Sequence, residues 1–413
     1  MTPESPSPES SRWLAFQHRS FARYWVARFT SHFSIQIVSV AVGWQVYDLT
    51  RDPLDLGFVG LAQFLPSLLL VLFTGAASDR YGRRMIMGIC MGGEAICAIG
   101  LLVLTLMGSP SILAIFVILV FFGVARAFFG PASQSLVANL VPPEHLANAI
   151  AWNSSAWQIG TILGPVAGGL LYGVAPEAAY GTAIVFFGIG SALIMSIPRP
   201  DQKITASRAS WGTLVAGMSY IWKEKIVLGA ISLDLFAVLL GGAIALMPVY
   251  ARDILDLGPW GLGLLRSAPG IGAILTAIYL TTHPIRDHAG LLLFIFVALF
   301  GAFTIVFGFS EIAWLSIVAL ILVGASDMVS VFIRETLIQL WTPDHMRGRV
   351  NAVNMVFVGA SNELGEFRAG VMASFTGAVV AVAAGGAGTV AVAGLWAKMF
   401  PELRKARHLD GRV

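Results

Sequence analysis

The chain has 413 residues, of which 57% are hydrophobic and only 12% charged, against roughly 25% charged in an ordinary soluble domain. A mean hydropathy of +0.79 excludes such a domain and points to a chain embedded in a lipid bilayer. The net charge of +3 excludes little by itself; the placement of the charges says more.

The chain opens with MTPESPSPESSRW, polar and rich in Pro and Ser, and residues 1–21 read as a tail. The apolar stretch from Tyr24 to Leu49 is too long for the apolar region of a signal peptide, so it reads as a retained first helix. A hydrocarbon core of roughly 30 Å needs about 20 apolar residues per helix, and backbone in lipid must satisfy its hydrogen bonds within the segment. The alternating segments of an outer-membrane barrel are absent. Polar, Pro and Gly punctuation divides the rest into apolar segments near 22–49, 55–78, 85–107, 111–140, 146–173, 178–197, 226–251, 258–282, 289–308, 312–341, 347–373 and 376–399. The expected fold is all-α, with twelve transmembrane helices. Cys90 and Cys97 fall in one apolar segment and read as packed thiols.

With the N-terminus placed in the cytoplasm, the inner connections hold Arg12, Arg19, Arg23, Arg80, Arg83, Arg84, Arg199, Lys203, Arg208, Lys223, Lys225, Arg286, Arg347, Arg349 and the cluster from Lys398 to Arg412. The other side holds Arg51 and Arg252. This asymmetry predicts cytoplasmic termini, in a multi-pass protein of a bacterial inner membrane. The longest connection divides the chain into a six-helix half at 22–197, a linker at 198–225, a second half at 226–400 and a tail at 401–413. Within the linker Trp211, Leu214, Val215, Met218 and Trp222 recur at helical spacing, which predicts a short interfacial helix. GLAQFLP (60–66) recurs as GLLRSAP (263–269) and PPEH (142–145) as TPDH (342–345), as in transporters built from two parallel repeats.

Between spans two and three lies GAASDRYGRR (75–84). With twelve spans in two halves, the pattern Gly75, Asp79, Arg80, Gly82, Arg83 and Arg84 resembles the signature loop of the major facilitator superfamily. The resemblance implies a conformational latch between the halves. Gly75 would permit close helix approach, Gly82 a turn that side chains would obstruct, and Asp79 an interaction with a neighbouring helix N-terminus. The equivalent stretch THPIRDH (282–288) lacks the aspartate, and His283 and His288 read as loop residues rather than metal ligands. Span five carries GTILGPVAGG, whose Gly160, Gly164, Pro165, Gly168 and Gly169 are similar to the motif of exporters in that superfamily. WVARF (25–29), VGWQVYDLTRDPLDLG (42–57) and MRGRVNAVN (346–354) resemble the branch that includes enterobactin exporters and macrolide efflux pumps.

Ionisable residues inside a membrane usually face a cavity or a partner. Arg126 in span four and Asp327 in span ten lie at corresponding positions of the repeat, and the resemblance puts both spans at a central cavity. They are expected to approach each other, either as a proton-coupling site or as a permanent ion pair. Asp234 in span seven has no evident partner in sequence. Arg334 and Glu335 in span ten, and Glu363 and Glu366 in span eleven, complete the coupling candidates, with pairing to Arg334 or Arg368 as the alternative. Glu94, on a helix expected at the outside of the bundle, reads as structural. Gln36, Gln45, Trp44 and Phe236 are candidate substrate contacts.

No phosphate loop of the G-x4-G-K-[ST] type and no H-E-x-x-H occurs, so an ATP-driven engine and a zinc enzyme are not expected. The reading is a monomeric secondary exporter of a small, partly lipophilic molecule, siderophore or drug-like, working by alternating access and proton antiport. It needs no cofactor, metal, catalytic residue or nucleic acid. The alternative is metabolite uptake or lysolipid transport on the same fold.

Overall fold

The computed structural model describes residues 12–108, 110–199, 211–283, 285 and 287–406. The expected charges Lys203, Arg208, Arg286 and those beyond Ala406 lie outside the described residues, as do the side chains of Gly75, Asp79, Trp211 and Leu214. Helices α1 (Arg19–Thr50), α2 (Pro53–Arg80), α3 (Arg83–Leu106), α4 (Ile112–Leu136), α5 (Leu146–Val174) and α6 (Pro176–Met195) precede the linker. After it come α7 (Trp211–Lys223), α8 (Lys225–Gly241), α9 (Gly258–Thr282), α10 (Ala289–Phe309), α11 (Ala313–Trp341), α12 (Asp344–Thr376), α13 (Ala378–Met399) and the short α14 (Pro401–Lys405).

With α7 and α14 set aside, twelve helical segments match the twelve expected spans. Nine are apolar enough to cross a membrane by length and composition alone among the described residues. The other three, α1, α5 and α12, are long but carry more polar side chains. Large apolar residues such as Leu113, Val174 and Phe375 are strongly exposed. In water such a surface would aggregate; in a bilayer it meets lipid.

The chain forms two compact units, 1–41 with 65–208, and 42–64 with 209–413. The boundaries fall inside α1 and α2, so residues 42–64 group with the second set of helices rather than with 22–197. In the first unit, Phe21, Tyr24 and Ala27 of α1 pack with Met87 and Met91 of α3, Ala132 and Leu136 of α4, and Ile194 of α6. Burial alone does not drive association in lipid, so close backbone approach carries much of the packing. The glycines of α5 provide it: a Cβ on Gly168 would lie 3.0 Å from the Ile37 Cα, and one on Gly160 would lie 2.7 Å from His32 Cδ2. Gln36, expected at the substrate, has its Cβ against Gly164.

In the second unit, Ala230, Leu233 and Ala237 of α8 pack with Leu293 of α10, Ile333 and Leu337 of α11, and Ala393 of α13. The expected interfacial helix is α7. Its Ile221 is buried with Val350 and Val353 of α12, and the Tyr220 hydroxyl donates to the Trp341 carbonyl at 3.0 Å.

Span seven departs from the expected continuous helix. It stops at Gly241, turns at Gly242 (φ −56°, ψ 104°) and resumes in short helical turns to Ile254. The sequence LLGGAIALMP explains the break. Gly242 lets the backbone approach α12, where a Cβ on it would lie 2.8 Å from the Gly365 carbonyl carbon, while Gly241 faces Phe300 of α10 and Thr389 of α13. The carbonyls stranded by the break find a donor in Arg368, whose Nε reaches Leu239 O at 3.0 Å and Nη2 reaches Leu240 O at 2.5 Å.

Gly168→Val should wedge α5 from α1 and cost about 1–3 kcal/mol, as overpacking does. Gly173→Ala on the same helix, where a Cβ meets nothing within 4 Å, should be neutral. Thermal unfolding of the two variants in detergent checks the contrast.

Candidate functional site

The break in span seven opens a cavity of ≈ 130 Å³ within the second unit. Gly241, Gly242, Ala243, Ile244 and Met247 form one wall, Thr304 and Phe307 of α10 another, and Asp327 of α11 with Asn362 and Glu366 of α12 supply the polar groups. Irregular backbone at membrane depth is tolerated where it lines such a space. Among the described residues the Asp327 carboxylate makes no hydrogen bond or ion pair. The volume is well below the 300–1,000 Å³ of drug-sized sites and holds about four waters at roughly 30 Å³ each. Its scale suits water and a proton.

The other carboxylates of this unit are differently engaged. Asp234, which had no partner in sequence, forms a buried ion pair with Arg334. The neighbouring Glu335 lies 3.9 Å from the same guanidinium and accepts from the Asn354 amide at 2.9 Å. The seven-residue spacing that put Arg334 on the face of Asp327 is therefore overridden by α8, which offers the nearer acid. Arg368 serves carbonyls rather than Glu363 or Glu366. The arginine in electrostatic contact with those two is Arg266 of α9. Gly60 of α2 leaves the space they need, since a Cβ there would sit 3.1 Å from Glu363 Oε2 and 3.5 Å from Glu366 Oε2.

Two of the proposed substrate contacts belong to other structures. Trp44 lies beneath the Arg252 guanidinium, 5.4 Å from its ring centroid. It joins a network in which Arg252 pairs with Asp48, Tyr47 donates to Asp253, and Arg51 lies 3.4 Å from Asp253. Phe236 packs on Trp396 with ring centroids 5.1 Å apart. Gln45 is buried.

The first unit holds a second cavity, of ≈ 230 Å³, lined by Arg28, His32 and Ile35 of α1, Arg126, Phe129, Gly130 and Gln134 of α4, and Trp157 of α5. Arg28 donates to the Ser133 hydroxyl. His32 stacks on Trp157 at 3.8 Å and bonds Thr161 at 2.9 Å. Glu94 of α3, read from sequence as peripheral, is fully buried, in electrostatic contact with Arg126, and neither carboxylate oxygen has a hydrogen-bond partner. Sequence reasoning passed over Arg28, His32 and Trp157 as site residues. The signal for them was an arginine and a histidine four residues apart on one face of span one.

In the 75–84 loop the arginines bond within the first unit. Arg83 reaches Ser135 O at 2.9 Å and Asn139 Oδ1 at 2.7 Å, Arg84 reaches Ile197 O, and Arg80 lies over Tyr81. These contacts cap the exposed carbonyls near the ends of α4 and α6. The steric reason expected for Gly82 is not met: its φ is −59° and a Cβ would meet nothing within 4 Å. The roles expected of Gly75 and Asp79 rest on side chains outside the described set.

The family model of the Major Facilitator Superfamily matches residues 24–366. The "Enterobactin exporter EntS" of Shigella flexneri is 26% identical over 408 residues, covering 96% of this chain and 95% of that protein. A protein of the same name from Escherichia coli is 27% identical over the same length. Among solved structures, a bacterial homologue of the iron transporter ferroportin in an inward-facing state superposes with a TM-score of 0.70 at 14% identity, covering 94% of this chain and 98% of its own. The nucleoside transporter NupG gives 0.69 at 14% identity, covering 92% and 99%. At such identities the structural likeness concerns the fold alone.

Asp234→Asn should strand the buried Arg334 guanidinium and cost about 3–5 kcal/mol, whereas adding Arg334→Gln should recover most of it. Thermal unfolding of both variants in detergent, with Arg334→Gln alone completing the cycle, measures the coupling.

Proposed function

The chain belongs to the major facilitator superfamily, and from that premise we propose that it exports a small, partly lipophilic molecule, siderophore or drug-like, in exchange for protons. It is a multi-pass membrane transporter, and its family and relatives are transporters rather than enzymes. The observation that carries the proton reading is the cavity at the span-seven break, where Asp327 and Glu366 line a space of water scale. Discontinuous helices commonly hold coupling ions in transporters. Asp327, which lines that space and is held in no ion pair among the described residues, suits a coupling role better than Asp234, which is engaged by Arg334.

Export is supported by the glycines of α5 lying against α1 and by the name of the relatives, enterobactin exporters. The proposed setting is a bacterial inner membrane with both termini cytoplasmic, the monomer being the working unit. Alternating access would then open the transport route to each side of the membrane in turn, with the 75–84 loop as the latch that sets how long each state lasts.

Everted vesicles test direction and coupling together. Substrate should accumulate inside them in a manner abolished by collapsing the proton gradient, and indifference to the gradient would sink the antiport reading. Asp327→Asn should remove gradient-driven accumulation at least tenfold while the protein remains folded in the membrane. Asp79→Asn should lower the maximal rate with less than a twofold change in KM.

A further inference from the structure

The charges set within the helices of the two units are unequal. Away from helix ends, the second unit sets Arg266, Arg334 and Arg368 against Asp234, Asp327, Glu335, Glu363 and Glu366. The first sets Arg28 and Arg126 against Glu94 alone. Burying a surplus guanidinium in hydrocarbon is costly, and the arginines line an open cavity rather than a packed core. Glu94 lies within electrostatic reach of Arg126, which leaves one positive charge uncompensated. The Nε of Arg28 is buried without a hydrogen-bond partner.

The walls between these charges are aromatic. Trp157 stacked on His32 makes one face and Phe129 another, with the Gln134 amide alongside. At ≈ 230 Å³ the space takes one substituted ring and its acid group rather than a whole drug-sized ligand. An arginine fork matches a carboxylate in charge and in geometry, and a ring sandwiched by aromatics gains contact area at little entropic cost.

We infer that the Arg28–Arg126 cavity is an anion subsite that receives the carboxylate of an aromatic acid group on the transported molecule. This deepens the transport reading by naming a substrate class. The anion neutralises the surplus charge of the first unit, so the loaded cavity costs less to seal from water than the empty one. Phenolates offer the same charge with one oxygen and bind the fork less well than carboxylates.

The test is equilibrium binding without any gradient, so its failure leaves the proton-coupled export reading standing, and failure of coupling leaves the subsite standing. The purified full chain in detergent is titrated calorimetrically at neutral pH with 1-naphthoate and with its neutral analogue 1-naphthamide, against blanks of empty micelles. Naphthoate should bind at least tenfold more tightly than the amide. Arg28→Gln and Arg126→Gln should each lower naphthoate affinity at least tenfold and shift naphthamide less than twofold. Equal affinities in the unmodified chain overturn the proposal without recourse to variants, as does a carboxylate preference that survives both substitutions. Should Arg126→Gln fail to fold, Arg126→Lys, which keeps the charge but loses the fork, replaces it. The preference should then fall to about threefold, and an undiminished preference there and in Arg28→Gln also overturns the subsite.

Discussion

A charge in hydrocarbon must be paired, capped or opened to water, because the bilayer offers it nothing else. Much of this structure can be traced to how that constraint is met at the charged positions away from helix ends. Arg334 and Asp234 meet it by pairing. Arg368 meets it by serving the carbonyls of an interrupted helix. Asp327 and the Arg28–Arg126 pair meet it by facing cavities. The first two solutions are fixed, because breaking either leaves a buried group unsatisfied. The third leaves groups facing a space that other molecules can enter, which is what a transport cycle requires.

The same division explains the role of small residues. In lipid, helices gain little from apolar burial, so the glycines of α5 against α1 and Gly365 of α12 against α8 supply contact through backbone proximity. Where two glycines adjoin, at 241 and 242, proximity becomes a break, and the break creates both the stranded carbonyls that hold Arg368 and the cavity that holds Asp327. One local sequence choice thus generates a structural arginine and a cavity-lining carboxylate.

The number and approximate ends of the helices were legible in the sequence, since an apolar run of membrane length can hardly be anything else. So was the short helix in the linker, from its period. Of the candidate site, Asp327, Glu363 and Glu366 were visible as charges in apolar surroundings. Their partners were not, because pairing depends on helix rotation and neighbour identity: Asp234 finds Arg334 on another helix, and Glu366 answers to Arg266 rather than to Arg368. Glu94 was read as structural, and its burial beside Arg126 is a contact of the same kind that sequence does not show.

Composition, the spacing of apolar runs and the distribution of lysine and arginine by themselves determined a helical membrane protein in two six-helix sets, because the bilayer imposes those features locally, residue by residue. The motif at 75–84 and the glycines of span five fixed the family by the same local route. Only the tertiary structure decided which buried charges are spent on each other and which line cavities. That outcome is set by distances of a few ångströms between side chains far apart in the chain, and no one-dimensional pattern encodes them.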